Sequence, residues 1–388
     1  MLCFALVFLT CTTCFAHSIN DGVVSLSLER QDPIFITMLK QGIHPRVIET
    51  FFSSIKSQAG NGTVPAKLYK LFDNEYYGKL KIRKDSFNVA YDTAWGNTWV
   101  PSVNCSSASI TCKFRNKYTG KNGTNTLQRF RFPIENTILT GTVWIDNLSF
   151  DMSTVKNQSF GVVDKIPFFP FIYSICDGVV GLASNSGMFK SKSIVTAMLE
   201  QGLIKKPIFS IYINRDPNTP KGGSVMFGGI DKKHYKGEFT YTHVLPQSNG
   251  IWMFKMQSIT ISPKFVLCQS GCNVYMDTGS NLISGPSAEI ESINQYIGAQ
   301  VFFLNRYTVK CGRVDQLPKV TFTIGGKKFT LKGPDYVQEV NFGPVKVCLT
   351  VFKKTEESDM WSLGGSFIAS YYTTFDIQNQ LIGFATSL

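Results

Sequence analysis

Two short segments of the 388-residue chain share one pattern, an apolar strand-like run that ends on Asp-Thr. The first is Tyr91–Trp95 (YDTAW), and the second is Met276–Ser280 (MDTGS). An apolar-Gly element follows later in each half, V-V-G-L at 179–182 and L-G-G at 363–365. This internal repeat constrains the fold most strongly, because two matched halves that each present an aspartate at a strand end predict a bilobal protein with a shared carboxylate pair.

The body of the chain, from about residue 76 onward, has the pattern of a mainly β fold. Short runs rich in Val, Ile, Thr, Phe and Tyr alternate with Gly, Pro and Asn, which is typical of strands and turns. We predict strands at 87–91, 142–145, 208–213, 225–227, 320–324 and 373–375, and helices at 193–201 and 288–296. With 43% apolar and 17% charged residues, the composition excludes disordered, collagen-like and coiled-coil classes.

The N-terminal region predicts export. Residues 1–16 carry no charged side chain and end in a small-x-small pattern at Cys14 and Ala16, which predicts a cleaved signal peptide. The run is shorter than the ~18 to 20 apolar residues that a bilayer span needs, so we expect no membrane span. Residues 17–70 contain an amphipathic helical segment at 34–57, interrupted near Pro45, and then a loose Gly- and Pro-containing link. This arrangement is typical of a propeptide.

Cysteines and sequons fit an exported chain. Seven of the ten cysteines follow the predicted signal peptide; six are expected to pair and one to be left over. Zinc is the alternative for such a set, but paired C-x-x-C motifs are missing and the chain has four histidines, so we expect no metal and no cofactor. Five sequons predict exposed, glycosylated loops: Asn61, Asn104, Asn122, Asn147 and Asn157.

A series of ordered motifs resembles the pepsin-like (A1) family of aspartic endopeptidases. Between Glu75 and Leu388 they are W-V-P-S at 99–102, D-G-V-V-G-L at 177–182, F-G-G-I-D at 227–231, D-T-G-S at 277–280 with G-P at 285–286, and F-D at 375–376 with G-F at 383–384. The resemblance implies two similar β-rich lobes, expected at 71–250 and 251–388, with a cleft between them. It also implies the pairs Cys105 with Cys112, Cys268 with Cys272, and Cys311 with Cys348, which leaves Cys176 unpaired.

By the same resemblance, Asp92 and Asp277 are the catalytic carboxylates. Two carboxyl groups about 3 Å apart share one proton, because both cannot ionise cheaply. The ionised partner takes a proton from the water that attacks the peptide carbonyl, and the protonated partner hydrogen-bonds to the carbonyl oxygen. We therefore expect a monomeric endopeptidase that cleaves polypeptides at acidic pH. It would act outside the cell or in the lumen of an acidic compartment such as gut or lysosome.

The active-site loops of the two halves differ. The loop residues are Thr93, Ala94 and Trp95 in the first half and Thr278, Gly279 and Ser280 in the second. Gly lets the backbone approach the carboxylates closely, so the methyl group of Ala94 is expected to crowd them or the water. Trp95 removes a hydroxyl that in the family hydrogen-bonds to a carboxylate oxygen, which is expected to alter the proton balance of the pair.

The flap over the cleft also departs from the family. Ile134 falls where the family has a Tyr, with Phe132 as the alternative if the hairpin shifts, and Trp99 keeps its place without that partner. These changes leave two functions open. One is an active endopeptidase with altered specificity or rate; the other is a catalytically impaired pseudoprotease, acting as a peptide- or glycan-binding secreted glycoprotein. Retention of both aspartates favours the enzyme.

The formal net charge of +12 is concentrated in one region. Residues 17–75 are neutral, with six basic and six acidic side chains, whereas residues 76–132 hold ten basic residues against Asp85 and Asp92. This region predicts a solvated basic face, or a docking surface for an acidic glycan or anionic protein. Nucleic acid is not expected, because no binding motif is present. Since the propeptide is neutral and the body basic, acid alone is expected to release the propeptide poorly.

Overall fold

The computed structural model describes residues 22–32, 34–50, 76–105, 110–134, 137–166, 174, 176–184, 189, 192–216, 219–302, 306–355 and 359–388. The predicted signal peptide, the sequon at Asn61 and the part of the predicted propeptide after residue 50 lie outside these residues. Within them, strands dominate, as the sequence predicts.

The largest sheet has thirteen strands. In spatial order they are β11 (Tyr235–His243), β25 (Leu381–Ser387), β24 (Tyr371–Asp376), β9 (Ile208–Ile213), β10 (Lys221–Phe227), β1 (Val24–Arg30), β2 (Tyr76–Ile82), β3 (Asp85–Asp92), β8 (Gly178–Gly181), β4 (Trp99–Pro101), β7 (Ser153–Lys165), β6 (Thr137–Phe150) and β5 (Thr124–Ile134). The last two strands of the chain therefore lie beside strands from its first half.

The second half of the chain forms two further sheets. The eight-stranded sheet contains β19 (Lys327–Leu331), β18 (Val320–Ile324), β12 (Met253–Ser262), β14 (Cys272–Met276), β23 (Trp361–Leu363), β15 (Ile283–Pro286) and β22 (Phe352–Thr355), with β13 (Phe265–Leu267) beside β12. The four-stranded sheet contains β16 (Gln300–Val301), β17 (Tyr307–Val309), β21 (Val345–Thr350) and β20 (Val337–Phe342). Alternation explains these strands, since Val320, Phe322 and Ile324 on one face of β18 are fully buried.

Helices are short and few among the described residues. They are α1 (Ile34–Lys40), α2 (Ile110–Lys113), α3 (Ile194–Glu200), α4 (Ser287–Tyr296), α5 (Gly333–Tyr336) and α6 (Gly365–Ser370), with 3-10 turns at Pro246–Ser248 and Cys311–Gln316. Residues 45–50 are also helical and residues 41–44 are not, so the predicted interruption near Pro45 is confirmed. The predicted helix at 193–201 begins where Ser193 Oγ accepts a hydrogen bond from the Thr196 amide at 3.2 Å.

The internal repeat of the sequence corresponds to a repeated strand arrangement. In the first half β3 runs parallel to β8, which places Asp92 beside Gly181. In the second half β14 runs parallel to β23, which places Met276 beside Leu363. A Cβ atom on Gly181 would lie 2.6 Å from the Asn97 amide nitrogen. Glycine is therefore required here, because residues 95–97 pack against the end of β8.

The three expected disulfides are present: Cys105–Cys112, Cys268–Cys272 and Cys311–Cys348. Cys176 is buried and forms no disulfide among the described residues. In the parts of the chain that the structure describes, no helix is long and apolar enough to cross a membrane.

Candidate active site

The two Asp-Thr segments meet at the ends of β3 and β14. Asp92 is the last residue of β3 and is half-buried, whereas Asp277 directly follows β14 and is 1% exposed. The neighbouring parallel strand anchors each loop through the backbone. The Leu182 amide donates to the Asp92 carbonyl at 2.9 Å, and the Asp277 amide donates to the Leu363 carbonyl at 3.0 Å.

Thr93 and Thr278 bind the two loops to each other. The Thr93 amide donates to Thr278 Oγ1 at 3.0 Å, and the Thr278 amide donates to Thr93 Oγ1 at 3.1 Å. Each hydroxyl then donates across the interface, Thr93 Oγ1 to the Met276 carbonyl at 2.9 Å and Thr278 Oγ1 to the Tyr91 carbonyl at 2.6 Å. This reciprocal set brings Asp92 and Asp277 to the same place, although they lie far apart in the sequence.

The second loop packs directly on the first carboxylate. A Cβ atom on Gly279 would lie 2.5 Å from Asp92 Oδ2 and 2.9 Å from Asp92 Cγ, distances at which the carboxylate would have to move. Ala94 occupies the matching position of the first loop, and its amide donates to Asp92 Oδ1 at 2.8 Å. The first loop therefore orients the Asp92 carboxylate, and the absence of a side chain at Gly279 leaves the space that this carboxylate fills.

The two loops are supported differently beyond this point. Ser280 is 3% exposed, and its Oγ accepts a hydrogen bond from the Leu282 amide at 3.1 Å. The Ser280 carbonyl accepts from the Gly365 amide at 2.8 Å. Trp95 stands at the matching position in the first half, and its buried Nε1 has no hydrogen-bond partner among the described residues. The polar support of the second loop is thus replaced by aromatic packing in the first.

That packing connects the loop after Asp92 to β5, the strand predicted to form part of the flap. The Trp95 ring meets the Phe132 ring edge-on, with centroids 5.7 Å apart. Phe130 and Phe189 complete the cluster, with centroid distances of 5.2 Å (Phe130 to Phe132) and 5.5 Å (Phe132 to Phe189). A Cβ atom on Gly161 would lie within 3.0 Å of both Phe130 and Phe189, so this glycine makes room for the rings. The sequence did not predict a role for Phe130 or Phe189. Phe130 alternates with Phe132 along β5, a signal that could have found it, whereas Phe189 comes from a distant segment and has no such local signal.

The flap residues occupy separate positions. Ile134 ends β5 opposite Thr137 at the tip of the β5–β6 hairpin, and its side chain lies outside the described set. Phe132, the alternative, is 8% exposed and is the flap-strand ring that contacts the Asp loop. Trp99 is 1% exposed within the same apolar cluster.

Two buried titratable groups lie behind the first loop. Burial raises the pKa of Tyr91 far above its ordinary value, and the neutral hydroxyl donates to the Lys79 carbonyl at 3.0 Å. Burial raises the pKa of the Cys176 thiol to about 12, with an opposing effect from the nearby Arg115 guanidinium. Arg115 donates to the carbonyls of Ser174 and Cys176. The side chains of Tyr91 and Cys176 are therefore uncharged at about pH 7 and below.

The structure also describes the candidate metal ligands and four of the predicted glycan acceptors. Cys268, Cys272 and Glu289 are close enough to hold an ion, but the two cysteines form a disulfide and offer no thiolate. Glu289 instead accepts from the Trp361 indole at 3.0 Å. Three of the sequon asparagines are exposed, whereas Asn147 is half-buried; the exposed ones are Asn104, Asn122 and Asn157.

Two β-rich halves that each supply an Asp-Thr loop to one site define the class of bilobal aspartic proteases. The chain matches the family described as eukaryotic aspartyl protease over residues 75–387. It is 32% identical to cathepsin D of Clupea harengus (95% of this chain, 96% of the relative) and 34% identical to cathepsin D of Gallus gallus (83% of each). It is 33% identical to renin of Canis lupus familiaris, over 84% of this chain and 83% of the relative. The chain therefore belongs to the eukaryotic aspartyl protease family.

Proposed function

We propose that the protein is an aspartic endopeptidase that hydrolyses polypeptides with Asp92 and Asp277 as its catalytic pair. The observation that carries the proposal is the reciprocal set of hydrogen bonds between Thr93 and Thr278, because it assembles two carboxylates from distant segments. A chain that made no use of the pair would have no need for this construction. Membership of a protease family supports polypeptides as the substrate class.

The chemistry follows from the two carboxylates. One is ionised and takes a proton from a water held between them, while that water attacks the peptide carbonyl. The other is protonated and donates to the carbonyl oxygen, which stabilises the negative charge that develops there. Because the pair must hold one proton in total, activity belongs at acidic pH.

The altered first loop predicts a reduced rate. A Cβ atom at Gly279 would press on Asp92, so the pseudo-symmetric Cβ of Ala94 is expected to press on Asp277. Trp95 also offers an indole in place of a small hydroxyl, and this removes a hydrogen bond that would tune the first carboxylate. We expect Ala94→Gly to raise the rate of hydrolysis.

The test is cleavage of denatured haemoglobin or casein at about pH 3 to 5, the range in which such a pair holds one proton. We expect cleavage that pepstatin inhibits and that Asp277→Asn abolishes. Ala94→Gly is the matched gain-of-function variant, since it restores the residue type present at Gly279. If no variant cleaves either protein at any pH, the proposal is wrong, and the cleft is that of a peptide-binding pseudoprotease.

The chain's setting is part of the proposal. Residues 1–16 would direct export and 17–70 would be the propeptide, with lobes at 71–250 and 251–388 and glycans on the exposed sequons.

The basic surface would contact acidic glycans or anionic proteins. It is supported by Lys81, Lys84 and Lys121, which are exposed around the β2–β3 turn and the neighbouring loop. Two acidic side chains of the same region already have partners within the protein. Asp146 forms an ion pair with Arg83 at 2.6 Å, and Asp85 accepts a hydrogen bond from the Thr119 hydroxyl at 2.9 Å.

A further inference from the structure

We propose that a cavity between β7 and α3 binds the first sugars of an N-linked glycan attached to Asn157. The inference rests on the proposed export of the chain, because N-glycans are added during secretion. It does not depend on catalytic activity. It goes beyond the glycans proposed for the exposed sequons, because it assigns to one of them a binding site on the protein itself.

The cavity contains a glycosylation sequon in its own wall. It has a volume of about 760 Å³, and Asn157 and Ser159 of the same sequon are part of its lining. This volume falls within the ~300–1,000 Å³ range of pockets that bind small ligands. Asn157 is exposed, and a glycan attached to it starts at the wall of the cavity. The first sugars therefore reach the cavity without any movement of the chain.

A β-bulge presents Asn157 to the outside of the sheet. In the β6–β7 ladder one residue, Asn147, faces the two residues at 156 and 157. Asn157 has a φ of +51°, in the left-handed region that asparagine adopts more readily than most residues. Its amide donates to Asn147 Oδ1 at 3.1 Å, which fixes the bulge and engages the half-buried carboxamide of the neighbouring sequon. Of these two adjacent sequons, Asn157 is therefore the accessible acceptor.

Hydrogen bonds between β7 and the region of α3 hold the cavity walls together. Gln201 Nε2 donates to the Lys156 carbonyl, and Gln201 Oε1 accepts from the Lys156 amide, both at 2.8 Å. Gln158, which is 5% exposed, donates through Nε2 to the Lys192 carbonyl at 2.9 Å. These bonds fix the walls, so a sugar binds without the cost of ordering them.

The lining suits the stem of an N-glycan. N-acetylglucosamine has hydroxyl and acetamide groups beside apolar ring faces. The cavity offers apolar atoms of Ala197 and Leu203, the Ser159 hydroxyl, and the ion pair of Lys192 with Glu200. A ring face covers the apolar atoms while the sugar hydroxyls bond to the polar groups, which is the usual division of roles in a ligand pocket.

Attachment of the glycan is a balanced group transfer. The Asn157 side-chain nitrogen forms a bond to C1 of the first sugar, the bond from C1 to a lipid-linked diphosphate breaks, and one amide proton leaves. The secretory pathway supplies this donor, a lipid-linked oligosaccharide diphosphate. The linked nitrogen remains an uncharged amide, so the cavity needs no counter-charge for it.

The experiment uses the full chain with Asp277→Asn, secreted from eukaryotic cells, so that its own activity plays no part. Peptide-N-glycosidase is added to the native protein, and mass spectrometry of peptides follows the glycan at each sequon. Asn122 is the matched control, because it is also exposed with a positive φ, +70°, but does not line this cavity. We expect release at Asn157 to be at least about tenfold slower than at Asn122, and equally fast after denaturation; a factor of ten corresponds to ~1.4 kcal/mol.

The possible outcomes separate this inference from the proposed export. Equal rates of release from the native protein would overturn the binding site. A glycan at Asn122 with none at Asn157 would also overturn this inference alone. The absence of a glycan at every sequon would overturn the proposed export together with it.

A variant of the cavity wall tests whether the cavity itself protects the glycan. Gln201→Ala removes both bonds to Lys156 and is expected to speed native release at Asn157 at least about threefold. Gln269→Ala is the control, because Gln269 is also exposed and donates to a backbone carbonyl, that of Val266, at 3.2 Å outside this cavity. This control is expected to change the rate by less than about twofold. Equal rates for the two folded variants, checked by circular dichroism, would overturn the proposal.

Discussion

The reciprocal threonine contact allows a quantitative test by Thr93→Val, which keeps the shape of the side chain and removes its hydroxyl. Thr93 is fully buried, and its Oγ1 accepts from the Thr278 amide and donates to the Met276 carbonyl. Valine leaves both backbone groups without this partner in the interior. Each such group costs about 1–3 kcal/mol, so the free energy of unfolding is expected to fall by about 2–6 kcal/mol.

The control is Thr93→Ser, which keeps both hydrogen bonds and loses one buried methyl group, at a cost of about 1 kcal/mol. Urea or guanidinium denaturation of the full chain, followed by fluorescence and circular dichroism, measures the two variants against the parent protein. A bilobal protein can unfold in two steps, so the transition midpoints and slopes of both probes are compared. If the valine and serine variants agree within about 0.5 kcal/mol, the inference that this contact holds the two loops together is refuted.

Three further predictions concern the site and its surroundings. Gly279→Ala places a Cβ atom 2.5 Å from Asp92 Oδ2, so kcat/KM on a casein peptide should fall at least about tenfold with unchanged circular dichroism; an unchanged kcat/KM would contradict the geometry. Burial raises the Cys176 pKa from 9.0 to about 12, so iodoacetamide should label this thiol only after unfolding. Its contribution to stability is complete below about pH 9 and is lost as the pH rises toward 12, which denaturation at alkaline pH would measure. Replacing Cys311 and Cys348 with serine opens a cross-link of sequence separation 37, which should cost about 4 kcal/mol of unfolding free energy; a loss below about 1 kcal/mol would show that the link constrains the unfolded chain little.

The sequence predicted the strand content well, because alternating apolar residues are local and strong signals. The strands expected at 208–213 and 320–324 appear as β9 (Ile208–Ile213) and β18 (Val320–Ile324) with the same limits. The sequence did not predict β1, although Val24, Leu26 and Leu28 alternate with polar residues. Residues 17–70 were predicted to be helical and loosely linked, and only the strand order shows that Val24–Arg30 lies inside the largest sheet.

The candidate site was predicted as a pair of aspartates but not as a constructed interface. The repeated Asp-Thr segments are sufficient to identify Asp92 and Asp277, whereas the exchange of hydrogen bonds between Thr93 and Thr278 appears only in the fold. The same holds for the contact of Trp95 with Phe132. A substitution can be read from a sequence, but its partner is set by strands that meet from distant positions.

The sequence by itself determined the repeated Asp-Thr segments with their two aspartates, the apolar alternation of the strands, and the unusual Ala94 and Trp95. These are properties of residue type, spacing and periodicity, and each can be read within a short stretch of chain. The bilobal fold and the three cysteine pairs were predicted from the resemblance of the ordered motifs to a known family. Tertiary structure alone decided which groups touch. It placed the Gly279 backbone against Asp92, packed the Trp95 ring against the Phe132 ring, and placed β1 between β10 and β2. The physical reason is that close packing and hydrogen bonding depend on three-dimensional distances between residues that are remote in sequence, and a linear pattern does not contain those distances.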